Sequence, residues 1–150
     1  MPGGSMKAMS KIRRLHRLLS RYFFLWENSN RKPTGHPDHP YESTGDALIH
    51  HLARFGPLDD LDLLILSGAD VNLRGDVEFT PLHWAVITKN MPALRLLLRA
   101  GANPSVPDMF GRTALAAAQS EWSEEAAGLL AEAVQGHTTV GREDDDNPSA

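Results

Sequence analysis

The sequence predicts an all-α solenoid of short helix-turn-helix units with hairpin-like connections, preceded by an amphipathic helix. Two observations carry this reading. Sliding the chain by 33 residues superimposes three consecutive units without a gap. Local signals within the units agree, with start and stop signals for two short helices.

The register of the repeat is read from particular residues. Gly68-Ala69-Asp70 falls on Gly101-Ala102-Asn103, and Leu61, Leu63 and Leu64 fall on Leu94, Leu96 and Leu97, then on Ala127, Leu129 and Leu130. Thr80 falls on Thr113, Leu82 on Ile49 and Leu115, and His83 on His50. The middle unit opens with Thr80-Pro81-Leu82-His83-Trp84-Ala85. Thr caps a helix start, and Pro is tolerated at the first helical position, where its missing N–H has no intrahelical partner. This first helix runs to about Thr88, a turn follows at Lys89-Asn90, and a second helix covers Pro92 to Ala100 with Leu94, Leu97 and Leu98 on one side. Gly101 stands where a helix ends in the left-handed conformation. Asn103 to Arg112, with two prolines and a glycine, reads as an extended hairpin-like connection.

Composition removes several function classes. The 150 residues include no cysteine, so a disulfide framework, a thiolate zinc site and a cysteine nucleophile are excluded. No apolar run approaches the ~20 residues that cross a bilayer. The net charge of −4 is unevenly spread. Six basic residues (Lys7, Lys11, Arg13, Arg14, Arg17, Arg21) precede Trp26 with no acid among them, and all nineteen acidic residues follow it. An acidic body repels phosphate backbones and counts against nucleic acid as a partner.

The order of segments follows. Residues 1–10 read as a flexible start and 11–26 as a basic amphipathic helix, with Ile12, Leu15, Leu19, Tyr22 and Trp26 at helical spacing and Arg13, Arg17 and Arg21 four apart. Residues 27–43 have the Pro/Asn/His composition of a linker, and 44–135 form the repeat domain, with units at about 44–76, 77–109 and 110–135. Residues 136–150 read as a disordered acidic tail. The head has three readings: a cap whose Tyr22–Trp26 cluster covers Ile49, Leu52, Leu61 and Leu64; a helix lying on an anionic membrane surface; or an Arg-rich targeting segment. The cap is preferred.

TPLHWA at 80–85, LLLRAGAN at 96–103, DMFGRTALAAA at 108–118 and LLILSGADVN at 63–72 resemble ankyrin repeats, whose unit is a β-turn plus two antiparallel helices at this period. The structural signature maps onto Thr80, Pro81, Leu82, His83, Ala85, Gly68, Gly101, Gly111 and Thr113. The first unit replaces the signature with Ala47-Leu48-Ile49-His50, and the third has Ala116 in place of its His. The resemblance implies that His50 and His83 look inward and hydrogen-bond between neighbouring units.

For chemistry the sequence offers little. His36 and His39 lie in the linker, and His50 and His51 point to opposite helix faces, so no rigid set of metal ligands is expected. There is no nucleophile elbow, P-loop or dinucleotide fingerprint, and the acidic run at 143–146 lacks the pattern of a calcium loop. The expectation is a non-enzymatic chain with no metal and no cofactor, in the cytoplasm, acting as a monomer.

The resemblance instead implies a partner protein, bound by the hairpin tips and the exposed end of each first helix. Carried over by position, the partner-binding set is Arg54, Phe55, Asp76, Val77, Phe79, Ile87, Thr88, Met109, Phe110 and Arg112, flanked by Thr44, Asp46, Ser120 and Glu121. Aromatic, Met and Arg enrichment is the composition of an interface core. The alternative is that Phe79 or Phe110 folds inward between hairpins. The acidic body favours a basic partner. Chains of this kind include scaffolds, inhibitors and toxin-neutralising proteins, and the rival reading is a membrane-surface accessory protein held by residues 11–26.

Overall fold

A computed structural model describes residues 3–27, 46–121 and 124–140. Among these, every regular element is helical. Helix α1 spans Gly3–Glu27. Three helix pairs follow: α2 (Leu48–Phe55) with α3 (Leu58–Leu66), α4 (Pro81–Ile87) with α5 (Met91–Arg99), and α6 (Ala114–Glu121) with α7 (Glu124–Val140). The first helices of the pairs therefore begin at 48, 81 and 114, and the second helices at 58, 91 and 124, which is the 33-residue period restated in space. Helices α2, α4 and α6 pack side by side as an inner layer, and α3, α5 and α7 form a looser outer layer.

The core is the seam between these layers. Ile49 and Leu52 from α2, Leu61 and Leu64 from α3, Leu82 and Val86 from α4, Leu94 and Leu97 from α5, and Leu130 from α7 are fully buried. Each contributes roughly 1.5–3 kcal/mol through burial. In the third unit alanines replace the larger side chains of the inner helix, with Ala114, Ala117 and Ala118 buried. Gly68, Gly101 and Gly111 have φ of 100°, 90° and 77°, the left-handed geometry that closes the outer helices and the third hairpin.

Polar bridges fix the units in register. The Nδ1 of His83 accepts from the Thr80 N–H at 3.2 Å, and Thr80 Oγ1 accepts from the His83 N–H at 3.4 Å. With Nδ1 an acceptor, Nε2 carries the proton and donates to the Arg112 carbonyl at 3.0 Å, at the entry to the next unit. His50 repeats the arrangement: Nδ1 accepts from the Ala47 N–H at 2.9 Å and Nε2 donates to the Leu73 carbonyl at 2.8 Å. The inward, bridging role implied for both histidines holds. Two asparagines add further ties. Asn72 Oδ1 accepts from the Asn103 N–H at 2.7 Å, and Asn90 Nδ2 donates to the Ala53 carbonyl at 3.1 Å while its Oδ1 accepts from Ala93 N–H at 3.3 Å to start α5.

Two boundaries and one buried face differ from the sequence reading. Helix α1 begins at Gly3 and takes in most of the expected flexible start. Helix α7 continues to Val140, past the expected end of the repeat domain at 135. The buried stripe of α1 is Leu18 and Tyr22 with Leu15 and Leu19 packed beside them, whereas Ile12 is 64% exposed. The reason is that α1 lies along α3, and the i, i+3, i+4, i+7 set starting at Leu15 faces it. Tyr22 Oη donates to Asp60 Oδ2 at 3.1 Å, Arg21 pairs with the same carboxylate at 3.3 Å, and Lys11 Nζ donates to the Leu66 carbonyl. Helix α1 is thus docked on the first unit through Leu15, Leu18, Leu19 and Tyr22, while Met6, Met9 and Ile12 stay exposed. Residues 28–45, which hold most of the expected linker, residues 122–123 and 141–150, and the side chains of residues 23–27 lie outside what is described.

Leu18→Ala is expected to lower stability by about 2–3 kcal/mol, and Ile12→Ala by less than about 0.5 kcal/mol, in urea unfolding. Equal effects at the two positions would refute this docking register. A second expectation concerns pH. Burial pushes the pKa of His50 and His83 below the ordinary histidine value, and nearby carboxylates and backbone carbonyls oppose the shift without cancelling it. The unfolded chain then binds more protons than the folded one below about pH 6.5, so the contribution of these rings is present above that pH and is lost on acidification. The urea midpoint should fall between pH 7 and pH 5, with a shallower fall in His83→Gln; a flat profile would contradict it.

Candidate functional site

The hairpins and the exposed side of the inner helices form one continuous surface, and its geometry starts from the turns. In the third hairpin the Asp108 N–H donates to the Arg112 carbonyl at 2.8 Å. The buried Asp108 carboxylate caps the turn, its Oδ1 accepting from the N–H groups of Phe110 and Arg112, each at 2.8 Å. Burial alone would raise this carboxyl's pKa; the two N–H donors and the Arg112 guanidinium outweigh it and hold the pKa below the ordinary value.

The second hairpin closes identically, Gly75 N–H to the Phe79 carbonyl at 2.8 Å, but glycine stands where Asp108 stands one unit later. A carboxylate from outside caps a different N–H of this turn: Asp46 Oδ1 accepts from the Asp76 N–H at 3.0 Å. A Cβ on Gly75 would lie 2.2 Å from that oxygen, so only glycine lets the carboxylate approach. The tip then turns through Val77 and Glu78 at φ of 48° and 60°. A β-branched residue there is strained. Two contacts hold the turn: Arg74 pairs with Glu78 at 2.9 Å, and the Met109 N–H of the third hairpin donates to the Val77 carbonyl at 3.0 Å.

Along this surface the expected partner-binding residues divide. Phe110, Met109 and Phe55 are 68%, 57% and 66% exposed, and Ile87 is at 36%. Asp76 and Arg112 are also exposed, Arg112 with its Nε 3.4 Å from Asp108. Val77 is partly buried, and so is Thr88, whose Oγ1 donates to the Trp84 carbonyl at 2.8 Å. Phe79 is the correction. It is buried, stacked on the His83 ring at 5.4 Å between centroids and set edge-on to Trp84 at 5.3 Å. Its position follows the hairpin closure, so its side chain turns under the tip and shields the bridging histidine. Of the flanking positions, Ser120 is exposed and Asp46 is the turn cap described above; Thr44 and the Glu121 side chain lie outside the described residues.

Trp84 stands outside the expected partner-binding set. It is only partly buried, and the Arg54 guanidinium lies 4.3 Å from its ring centroid and 4.6 Å from that of Phe55. The available signal was the repeat itself: Trp84 falls on His51, which is exposed. No group of residues suited to hold a metal ion occurs among the described residues; His36 and His39, like Trp122, fall outside them.

Comparison with known proteins agrees with the geometry. A family model described as ankyrin repeats (three copies) matches residues 49–140. The rat nuclear factor NF-kappa-B p105 subunit is 36% identical over 95 residues, covering 59% of this chain and 10% of that protein. The ADP-ribosylation factor GTPase-activating protein AGD4 of Arabidopsis thaliana is 38% identical over 71 residues, 47% of this chain and 9% of that protein. A putative ankyrin repeat protein of Rickettsia bellii (strain RML369-C) is 32% identical over 90 residues, 59% of this chain and 50% of that protein. The chain spans about a tenth of the first two relatives and half of the third. With its three stacked helix pairs, bridging histidines and matched family model, the chain belongs to the ankyrin-repeat family.

Proposed function

We propose that this chain is a non-enzymatic module that binds another protein across its hairpin tips and inner helices. Ankyrin repeats are in general protein-protein interaction modules, and the observation that supports this surface here is the exposure of Phe55, Met109 and Phe110 on elements held by buried bridges. Exposed aromatic and Met side chains on a rigid frame bind with little loss of side-chain and loop entropy. A face of three units offers on the order of 800 Å² to one partner, the usual size of a specific contact. The same proposal places the chain in the cytoplasm as a monomer, acting as scaffold, inhibitor or toxin-neutralising protein by covering its partner.

The test compares two variants. Met109→Ser with Phe110→Ser should leave the circular dichroism spectrum and melting temperature close to wild type and weaken binding of the purified natural partner at least tenfold by calorimetry. Phe79→Ala should behave as a core change instead and cost about 3 kcal/mol of stability. Unchanged partner affinity in the tip variant would overturn the assignment of this surface.

A further inference from the structure

The geometry points to a carboxylate-bearing segment of the partner as what the inner face of α2 and α4 takes up, paired with the Arg54 guanidinium where it stacks beside Trp84. This rests on the protein-binding reading above and names the chemistry of what is bound.

Three observations carry it. First, Arg54 is exposed and is held by two aromatic faces, Phe55 at 4.6 Å and Trp84 at 4.3 Å, and has no carboxylate partner among the described residues. Stacking on rings fixes the plane of a guanidinium and leaves its N–H groups directed outward, the geometry that a carboxylate meets with two parallel hydrogen bonds. Second, Trp84 is only partly buried, and its indole lies beside the Arg54 guanidinium as an apolar wall for whatever pairs with it.

Third, the acids avoid this face. Helices α2 and α4 contain none. The described helical acids of the body lie on the outer layer, Asp59, Asp60 and Asp62 on α3 and Glu124, Glu125 and Glu132 on α7, apart from Glu121 at the end of α6. Asp46, Asp76 and Glu78 sit at the second hairpin, two of them engaged with backbone N–H groups and the third with Arg74. The net charge favours a basic partner at long range, but charges within a few ångströms decide what pairs with Arg54, because salt screens exposed charges beyond about 8–10 Å. The exposed Phe55 and Ile87 beside Arg54 ask for an apolar residue next to the acid.

The experiment selects peptides from a displayed random library on the immobilised full chain and measures the best binders by fluorescence anisotropy. The expected binders carry Asp or Glu next to an apolar residue. Replacing that acid by its amide should weaken binding at least tenfold, as should Arg54→Gln, with Arg54→Lys intermediate and Trp84→Phe severalfold weaker at unchanged melting temperature. Enrichment of basic peptides, or binders indifferent to Arg54→Gln, would overturn the inference. If such indifferent binders still require Met109 and Phe110, the carboxylate site falls and the protein-binding surface stands. If no binder depends on any residue of the tips or inner helices, both fall.

Discussion

The structure hangs on a buried imidazole placed one turn inside an inner helix. By accepting a backbone N–H with Nδ1, His83 orders the start of its own helix; by donating from Nε2 to the Arg112 carbonyl, it fixes where the next unit begins. His50 does the same at the first unit, reaching the Leu73 carbonyl. Helices of seven to nine residues, as α2 to α6 are, are too short to persist alone in water, and three helix pairs are near the minimum for a stack. The histidines matter because they satisfy buried polar groups and set register at once. An apolar ring in the same place would bury as much area and leave two backbone groups without partners.

Much of this was legible in the sequence because repetition multiplies weak signals. A single Thr-Pro-Leu-His or a single Gly-Ala-Asp is a modest local preference; partial matches across three units at one spacing fix the unit boundaries, and helix starts at 48, 81 and 114 follow. The misreadings have physical causes. Phe79 looks like a hairpin-tip residue by position, but the closure between Gly75 and Phe79 turns it beneath the tip, where the His83 ring offers a flat surface to stack on. Ile12 fits the helical period of α1 as well as Leu15 does. Its exposure follows from where α3 ends, which periodicity within α1 cannot show. The left-handed Val77 and Glu78 were illegible too, since nothing in their identity announces φ above zero.

The surface shows a division of charge. The basic head docks on the first unit and sets Arg21 beside Asp60, so part of the positive charge is spent within the fold. Acidic side chains populate the outer helices, where they meet solvent or the cationic ends of neighbours, as Arg95 does with Glu125. The inner helices are left with Arg54 stacked between Phe55 and Trp84. A long-range acidic field and a short-range cationic contact coexist on one small chain because layering places them on opposite sides of the core.

Rigidity of the tips is the central claim, and amide hydrogen exchange tests it most directly. The Met109 N–H bonds to the Val77 carbonyl across two hairpins, and the Asn103 N–H bonds to Asn72 across two units. If the stack moves as one body, both should exchange only through global unfolding, with the same free energy and denaturant dependence as the Leu97 amide in α5. Exchange at Met109 or Asn103 that is orders of magnitude faster and insensitive to denaturant would mean that the hairpins open locally, and the preformed surface would not exist.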